Sequence, residues 1–186
     1  VSIAASNQLD EHVIKSLHDQ EAPIDFYGVG TNLVTCAPDA ALDGVYKLAY
    51  FDGKPRIKLS ENLKKITLPD RKHVYRIINE DGDFFGADII TLQDESAADR
   101  MHHPIDPEKS LSLAGLRKEN LLHPMMKDGK IIAELPSLKD ISEYCIRQLA
   151  RLAAEHKRFQ NPHIYKVGIS TRLRDLRNQL RHQHKK

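Results

Sequence analysis

The order strand, helix, strand within the first thirty residues constrains this chain more than any other feature. Residues 1–5, Val-Ser-Ile-Ala-Ala, are apolar enough for a buried strand ending at Ser6-Asn7. Over 9–19, Leu9, Val13, Ile14 and Leu17 fall on one face of a helix. Pro23 closes the connection, and Ile24 opens a second strand through Phe26. Two strands joined by one helix run parallel with a right-handed crossover, and ligands sit at the C-terminal strand ends of such units. Ser6-Asn7 and Gly28-Val29-Gly30-Thr31 both fall there, on adjacent strands. Two glycines one residue apart let the backbone bend without a Cβ clash, so that main-chain N–H groups can surround an anion. Thr31 adds a hydroxyl where a following helix begins, a common seat for phosphate. Read alone, Gly-x-Gly-Thr also describes a sharp turn with no chemistry.

From Gly44 the periodicity changes to two: Val45, Lys47, Ala49 and Phe51 alternate with Tyr46, Leu48 and Tyr50. Asp52-Gly53 then makes a turn and residues 55–59 return. A second hairpin, 73–79 and 84–92, flanks Glu80-Asp81-Gly82-Asp83. Residues 94–107 are polar and proline-marked and read as a loop, and short strands are expected over 121–126 and 130–133 around Asp128-Gly129. Ser137 and Asp140 have capping-box spacing, opening a helix to about residue 157 with Ile141, Cys145, Leu149 and Leu152 on one stripe. A strand over 164–169 precedes a last helix from Ser170, with Leu173, Leu176 and Leu180 inward. The predicted class is α/β. A βαβ segment spans 1–43, a mostly antiparallel β lobe 44–134, and C-terminal helices with a short strand 135–186.

The 186 residues suffice for one full core or two small lobes. A formal charge of +2 is too small to argue for nucleic acid, and no run approaches the ~20 apolar residues of a membrane span. The basic residues from Arg172 onward alternate with apolar ones, so this helix reads as packing first, its outer arginines solvated. Cys36 and Cys145 make no disulfide framework, and a reducing cytoplasm is expected. Cys36 has no adjacent base and reads as a buried structural thiol; Asp10 reads as a helix cap. His102-His103 and His123 match no zinc spacing. The chain begins without Met and is expected to be the C-terminal part of a longer polypeptide.

Several stretches then occur in a specific order. They are 5–11 (Ala-Ser-Asn-Gln-Leu-Asp-Glu), 27–35 (Tyr-Gly-Val-Gly-Thr-Asn-Leu-Val-Thr), 44–48 (Gly-Val-Tyr-Lys-Leu), 58–61 (Lys-Leu-Ser-Glu) and 65–69 (Lys-Ile-Thr-Leu-Pro). Later come 135–138 (Leu-Pro-Ser-Leu) and 161–167 (Asn-Pro-His-Ile-Tyr-Lys-Val). This succession resembles nicotinate phosphoribosyltransferase, over nearly the whole chain but only the C-terminal part of the family's length. The resemblance implies an irregular, TIM-like α/β barrel of a type II phosphoribosyltransferase joined to a mostly β lobe. It implies transfer of phosphoribose from phosphoribosyl pyrophosphate to nicotinate for NAD synthesis, with Mg²⁺ and ATP, by a cytoplasmic homodimer.

Carried over, Gly28, Val29, Gly30 and Thr31 resemble the 5′-phosphate loop, and Ser6 and Asn7 the strand end beside the ribose. Lys58, Lys65 and Lys72 are candidates for pyrophosphate or nucleotide contacts. Where the family has Pro-Gly this chain has Pro69-Asp70, so the turn is expected to forgo a glycine conformation. The family's catalytic histidine and nicotinate-contacting residues lie upstream, so no catalytic residue is expected here. Nicotinamide or quinolinate relatives, and a non-catalytic phosphate-binding domain, are the alternatives.

Overall fold

The computed structural model describes residues 1–41, 44–95 and 98–184. Leu42-Asp43 at the expected segment boundary, Ser96-Ala97 in the expected loop and Lys185-Lys186 at the basic end lie outside the described residues. The chain divides into two units, Val1–Tyr46 and Lys47–Lys186. Residues 47–134 and the helices and strand after them thus share one unit.

In the first unit, β1 (Ala4–Ser6), α1 (Glu11–Asp19), β2 (Phe26–Gly28) and α2 (Thr31–Thr35) follow in order. β1 and β2 pair in parallel, as the strand–helix–strand order predicts, with Ala4 opposite Phe26 and Ser6 opposite Gly28. The Asp10 side chain caps α1 by accepting from the Val13 N–H at 2.7 Å. Asp25 Oδ2 accepts from the Ile3 N–H at 2.7 Å and ties the strand starts together. The expected burial of strand 1–5 is corrected: of the described residues in this unit only Leu9 is buried. Two short strands and two helices expose most of both sheet faces, because a pair of strands has nothing to close on. Cys36 is corrected for the same reason. It is exposed and holds a left-handed backbone at the end of α2.

The second unit is built on a six-stranded mixed sheet. Its elements begin with a small hairpin, β3 (Tyr50–Phe51) and β4 (Lys54–Pro55), around the expected Asp52-Gly53 turn. The alternation from Gly44 to Ala49 forms no strand. A 3₁₀ turn (Leu63–Lys65) precedes β5 (Lys72–Ile78) and β6 (Phe84–Leu92), the expected antiparallel hairpin. Then come β7 (Arg100–His102), inside the stretch predicted as loop, β8 (Ser110–Ser112) and β9 (Arg117–Asn120). β10 (Met126–Lys127) and β11 (Lys130–Ile131) pair across Asp128-Gly129, a shorter hairpin than predicted. α3 (Leu138–Ala150) stops before residue 157, where a separate 3₁₀ turn (Ala154–Lys157) follows. β12 (Lys166–Ser170) and α4 (Thr171–Gln183) complete the unit.

The sheet order is β8-β7-β12-β6-β5-β9. β12 runs parallel to β6, with Ile169 opposite Ile90, and antiparallel to β7, with Ile169 opposite His102. Alternate residues face opposite sides of a strand. Ala87 and Ile89 therefore join Ile77, Met101 and Leu113 on one face, whereas Ile90 and Leu92 meet Ile169 and Leu173 on the other. Leu173 is fully buried, worth about 1.5–3 kcal/mol of apolar transfer. Of the predicted stripe, Ile141, Cys145 and Leu149 lie on α3 and Leu152 falls beyond its end, and no residue of that helix is buried.

α4 begins where the sequence predicts. Ser170 Oγ accepts from the Leu173 N–H at 3.2 Å and donates to the buried Glu95 carboxylate at 2.6 Å. Arg174 and Arg177 are less solvated than expected, while Arg172 stays exposed. Arg172 pairs with Asp94 at 2.8 Å, Arg174 donates to the His102 ring at 3.1 Å, and Arg177 is half-buried.

Candidate functional site

The glycine stretch leaves β2 at Gly28 and enters α2 at Thr31, with Gly30 as the residue before the helix. Side chains cap α1, α3 and α4, from Asp10, Ser137 and Ser170. No side chain caps α2. The amides of a helix's first turn have no intrahelical acceptor, so those of 31–33 rely on partners from outside. Ser6 lies opposite Gly28 in the parallel register, which puts its hydroxyl at the same strand edge.

The approach there is close. A Cβ on Gly28 would sit 3.2 Å from Ser6 Cβ, tighter than ordinary van der Waals contact, whereas one on Gly30 would meet no protein atom within 4 Å. Beyond Ser6 the chain turns through Asn7 and Gln8, both in the left-handed region (φ 74° and 50°), which asparagine tolerates better than most residues. Asn32 is a positioning residue that the sequence reasoning passed over. Its Nδ2 donates to the Leu9 carbonyl at 2.9 Å and pins the start of α2 to the β1–α1 connection. Its only signal in the sequence was an amide immediately after Gly-Val-Gly-Thr. Residues 28–32 include no titratable side chain. This edge offers hydrogen-bond donors and no general acid or base.

The three lysines lie in the second unit. Lys58 and Lys65 are exposed, and neither ammonium has a hydrogen bond or ion pair among the described residues. Lys72 is different. Its Nζ donates to the carbonyls of Leu68 (2.9 Å), Pro69 (3.3 Å) and Asp70, which occupies all three of its protons. Burial lowers its proton affinity, opposed by the nearby Asp70 carboxylate. The turn that it ties down corrects one expectation. Asp70 adopts φ 69°, so an aspartate holds the glycine-type conformation, with its own Oδ1 accepting from the Arg71 N–H at 2.7 Å.

His102 and His103 diverge in role. His102 Nε2 lies 3.0 Å from Thr171 Oγ1, and His103 Nδ1 accepts from the amides of Ile105 and Asp106. Among the described residues no three His, Cys, Asp or Glu side chains gather in a metal-holding group.

The family model for the nicotinate phosphoribosyltransferase C-terminal domain matches residues 71–177, well over half of the chain. The chain belongs to the nicotinate phosphoribosyltransferase family. It is 38% identical over 190 residues to the nicotinate phosphoribosyltransferase of Dictyostelium discoideum, covering 96% of this chain and 32% of that protein. The Bacillus subtilis (strain 168) nicotinate phosphoribosyltransferase is 39% identical over 176 residues, covering 90% and 36%. The crystal structure of human nicotinic acid phosphoribosyltransferase superposes with a TM-score of 0.66 at 28% identity, covering 97% of this chain and 33% of that one. The mixed α/β fold is thus that of the family. The chain spans about a third of the length of the curated relatives it matches. No helix among the described residues is long and apolar enough to cross a membrane.

Proposed function

We propose that this chain is the substrate-anchoring part of a nicotinate phosphoribosyltransferase. The whole enzyme would form nicotinate mononucleotide and pyrophosphate from nicotinate and phosphoribosyl pyrophosphate, with ATP hydrolysis, in NAD biosynthesis. The observation that carries this reading is the apposition of Ser6 and Gly28 at the ends of parallel strands, followed by a helix with no side-chain cap. In this reading Gly28, Val29, Gly30 and Thr31 hold the 5′-phosphate through main-chain N–H groups and the Thr31 hydroxyl, with Ser6 and Asn7 beside the ribose. The first unit is then a segment of the irregular, TIM-like barrel, and the intact protein works as a cytoplasmic homodimer.

Phosphoribosyl transfer passes through an oxocarbenium-like state and expels pyrophosphate, so positioning and charge neutralisation do most of the work. An anchor remote from the reacting carbon contributes to rate as well as to binding. Lys58 and Lys65, with free ammonium groups, are the lysines we propose for pyrophosphate or nucleotide; Lys72 already serves the 68–70 turn. Mg²⁺ favours oxygen ligands but meets no metal-holding group among the described residues, so none of them is assigned to it.

The intact polypeptide is expected to convert nicotinate and phosphoribosyl pyrophosphate to nicotinate mononucleotide, with ATP stimulating the rate, as followed by chromatography. Turnover of nicotinamide in place of nicotinate would overturn the assignment. Gly30→Val tests the loop, because its Cβ meets no protein atom within 4 Å, although the backbone at Gly30 (φ −105°, ψ −107°) lies outside the regions that a β-branched residue ordinarily adopts. Affinity for ribose 5-phosphate should weaken about tenfold or more in a variant whose circular dichroism shows that it still folds. Unchanged affinity would refute the phosphate role.

A further inference from the structure

One face of α4 carries Arg174, Arg177 and Arg181, spaced i, i+3, i+7 along the helix. Arg174 is satisfied by the His102 ring at 3.1 Å and by Asp175 Oδ1 at 3.0 Å. Arg177 is not. Its Nη1 donates to the Pro104 carbonyl and its Nη2 reaches Asn178 Oδ1 at 3.5 Å, both neutral acceptors, while its Nε is buried with no partner. Arg181 makes no hydrogen bond or ion pair among the described residues.

A half-buried guanidinium beside two more of like charge is an uncompensated cost. Burial, then Arg181 and Arg174, all lower the proton affinity of Arg177. No carboxylate among the described residues pairs with Arg177 or Arg181; on the same helix Asp175 is engaged with Arg174, and Arg172 with Asp94. Arg177 and Arg181 together line a recess of about 30 Å³ with Leu63, Ile66, Pro104 and Ile105. Such a volume admits roughly one water-sized group. Lys64 and Lys65 in the adjacent 3₁₀ turn keep the surroundings positive.

We propose that the arginine ladder of α4 is an oxyanion site separate from the glycine loop, taking a phosphate-type anion between Arg177 and Arg181. One anionic oxygen enters the recess and the rest of the group stays at its mouth, against Arg181. The guanidinium fork suits this ligand, since its parallel N–H groups match phosphate oxygens. A carboxylate from elsewhere in the longer polypeptide shares the oxyanion chemistry and is the competing source.

Inorganic phosphate is titrated calorimetrically into the intact polypeptide at fixed ionic strength, with and without saturating ribose 5-phosphate. The expected result is a phosphate isotherm that persists under ribose 5-phosphate and weakens about tenfold or more in Arg181→Gln. Arg56→Gln, outside the residues that line the recess, should leave it unchanged. Arg177→Gln is the second variant and should weaken phosphate at least as much. No isotherm, or one that Arg181→Gln leaves unaltered, overturns the proposal. A lowered melting temperature of Arg181→Gln without phosphate binding overturns it too, and makes a polypeptide carboxylate the partner of the ladder.

Discussion

The two units of this chain hold themselves together in different ways. In the second, Ile77, Ile89, Leu113, Ile169 and Leu173 are fully buried on the two faces of one sheet. In the first, Leu9 alone among the described residues is buried, and local hydrogen bonds from Asp10, Asp25 and Asn32 fix the geometry. Within these 186 residues the second unit supplies its own core, whereas the first, which we propose to be a barrel segment, leaves its faces for the rest of the longer enzyme to cover. The glycine loop sits on the unit with almost no core of its own among these residues, where caps and strand register shape the backbone.

The comparison is most easily broken by core truncation. In urea denaturation of the 186-residue chain, Ile89→Ala should cost about 2–5 kcal/mol. Val13→Ala, on a partly exposed face of α1, should cost less than about 0.5 kcal/mol. Equal costs would show that the first unit is as cooperative as the second. A smaller effect comes from the helix caps. Ser170→Ala removes both the cap of α4 and the buried bond to Glu95, and should lower stability by about 1–3 kcal/mol. Asp10→Ala should loosen α1, seen as faster amide exchange at Val13, without moving the main transition.

The smallest effect is one of pH. Burial, then the cations Arg174 and Arg100, hold His102 below its ordinary value of 6.5, with Asp175 opposing. The unfolded chain therefore takes up this proton first on acidification. The stabilisation by neutral His102 is fully present above 6.5 and fades as pH falls below it. The melting temperature of the second unit should drop between about pH 7 and pH 5, and His102→Gln should flatten that part of the profile. A variant profile that parallels the wild type would remove His102 from the account.

What could be read from the residues divides along the same line. Turn chemistry and caps are local, so the β5–β6 hairpin around Glu80-Asp81-Gly82-Asp83, the capping box opening α3 and the start of α4 at Ser170 were legible. β9 was not, because Arg117-Lys118-Glu119-Asn120 carries no apolar alternation and is a strand only through pairing with β5. β7 was hidden among polar and proline residues, its pairing with β12 being specified some seventy positions away. Legibility in the candidate site followed suit. The strand–turn–helix path of residues 26–35 was readable from the glycines, while the tie from Asn32 to Leu9 was a tertiary fact with little local trace. Lys72 read as a candidate pyrophosphate or nucleotide contact until the fold brought three carbonyls to it.

The placement of β12 has a consequence for how the second unit comes into being. β7 touches β12 and β8 but not β6, so without residues 166–170 the sheet is two separate pieces. The strand that joins them is the last to leave the ribosome of the twelve among the described residues. Until then β6 and β7 each present an unpaired edge to the cell, and the nascent chain is a half-built arch awaiting its keystone.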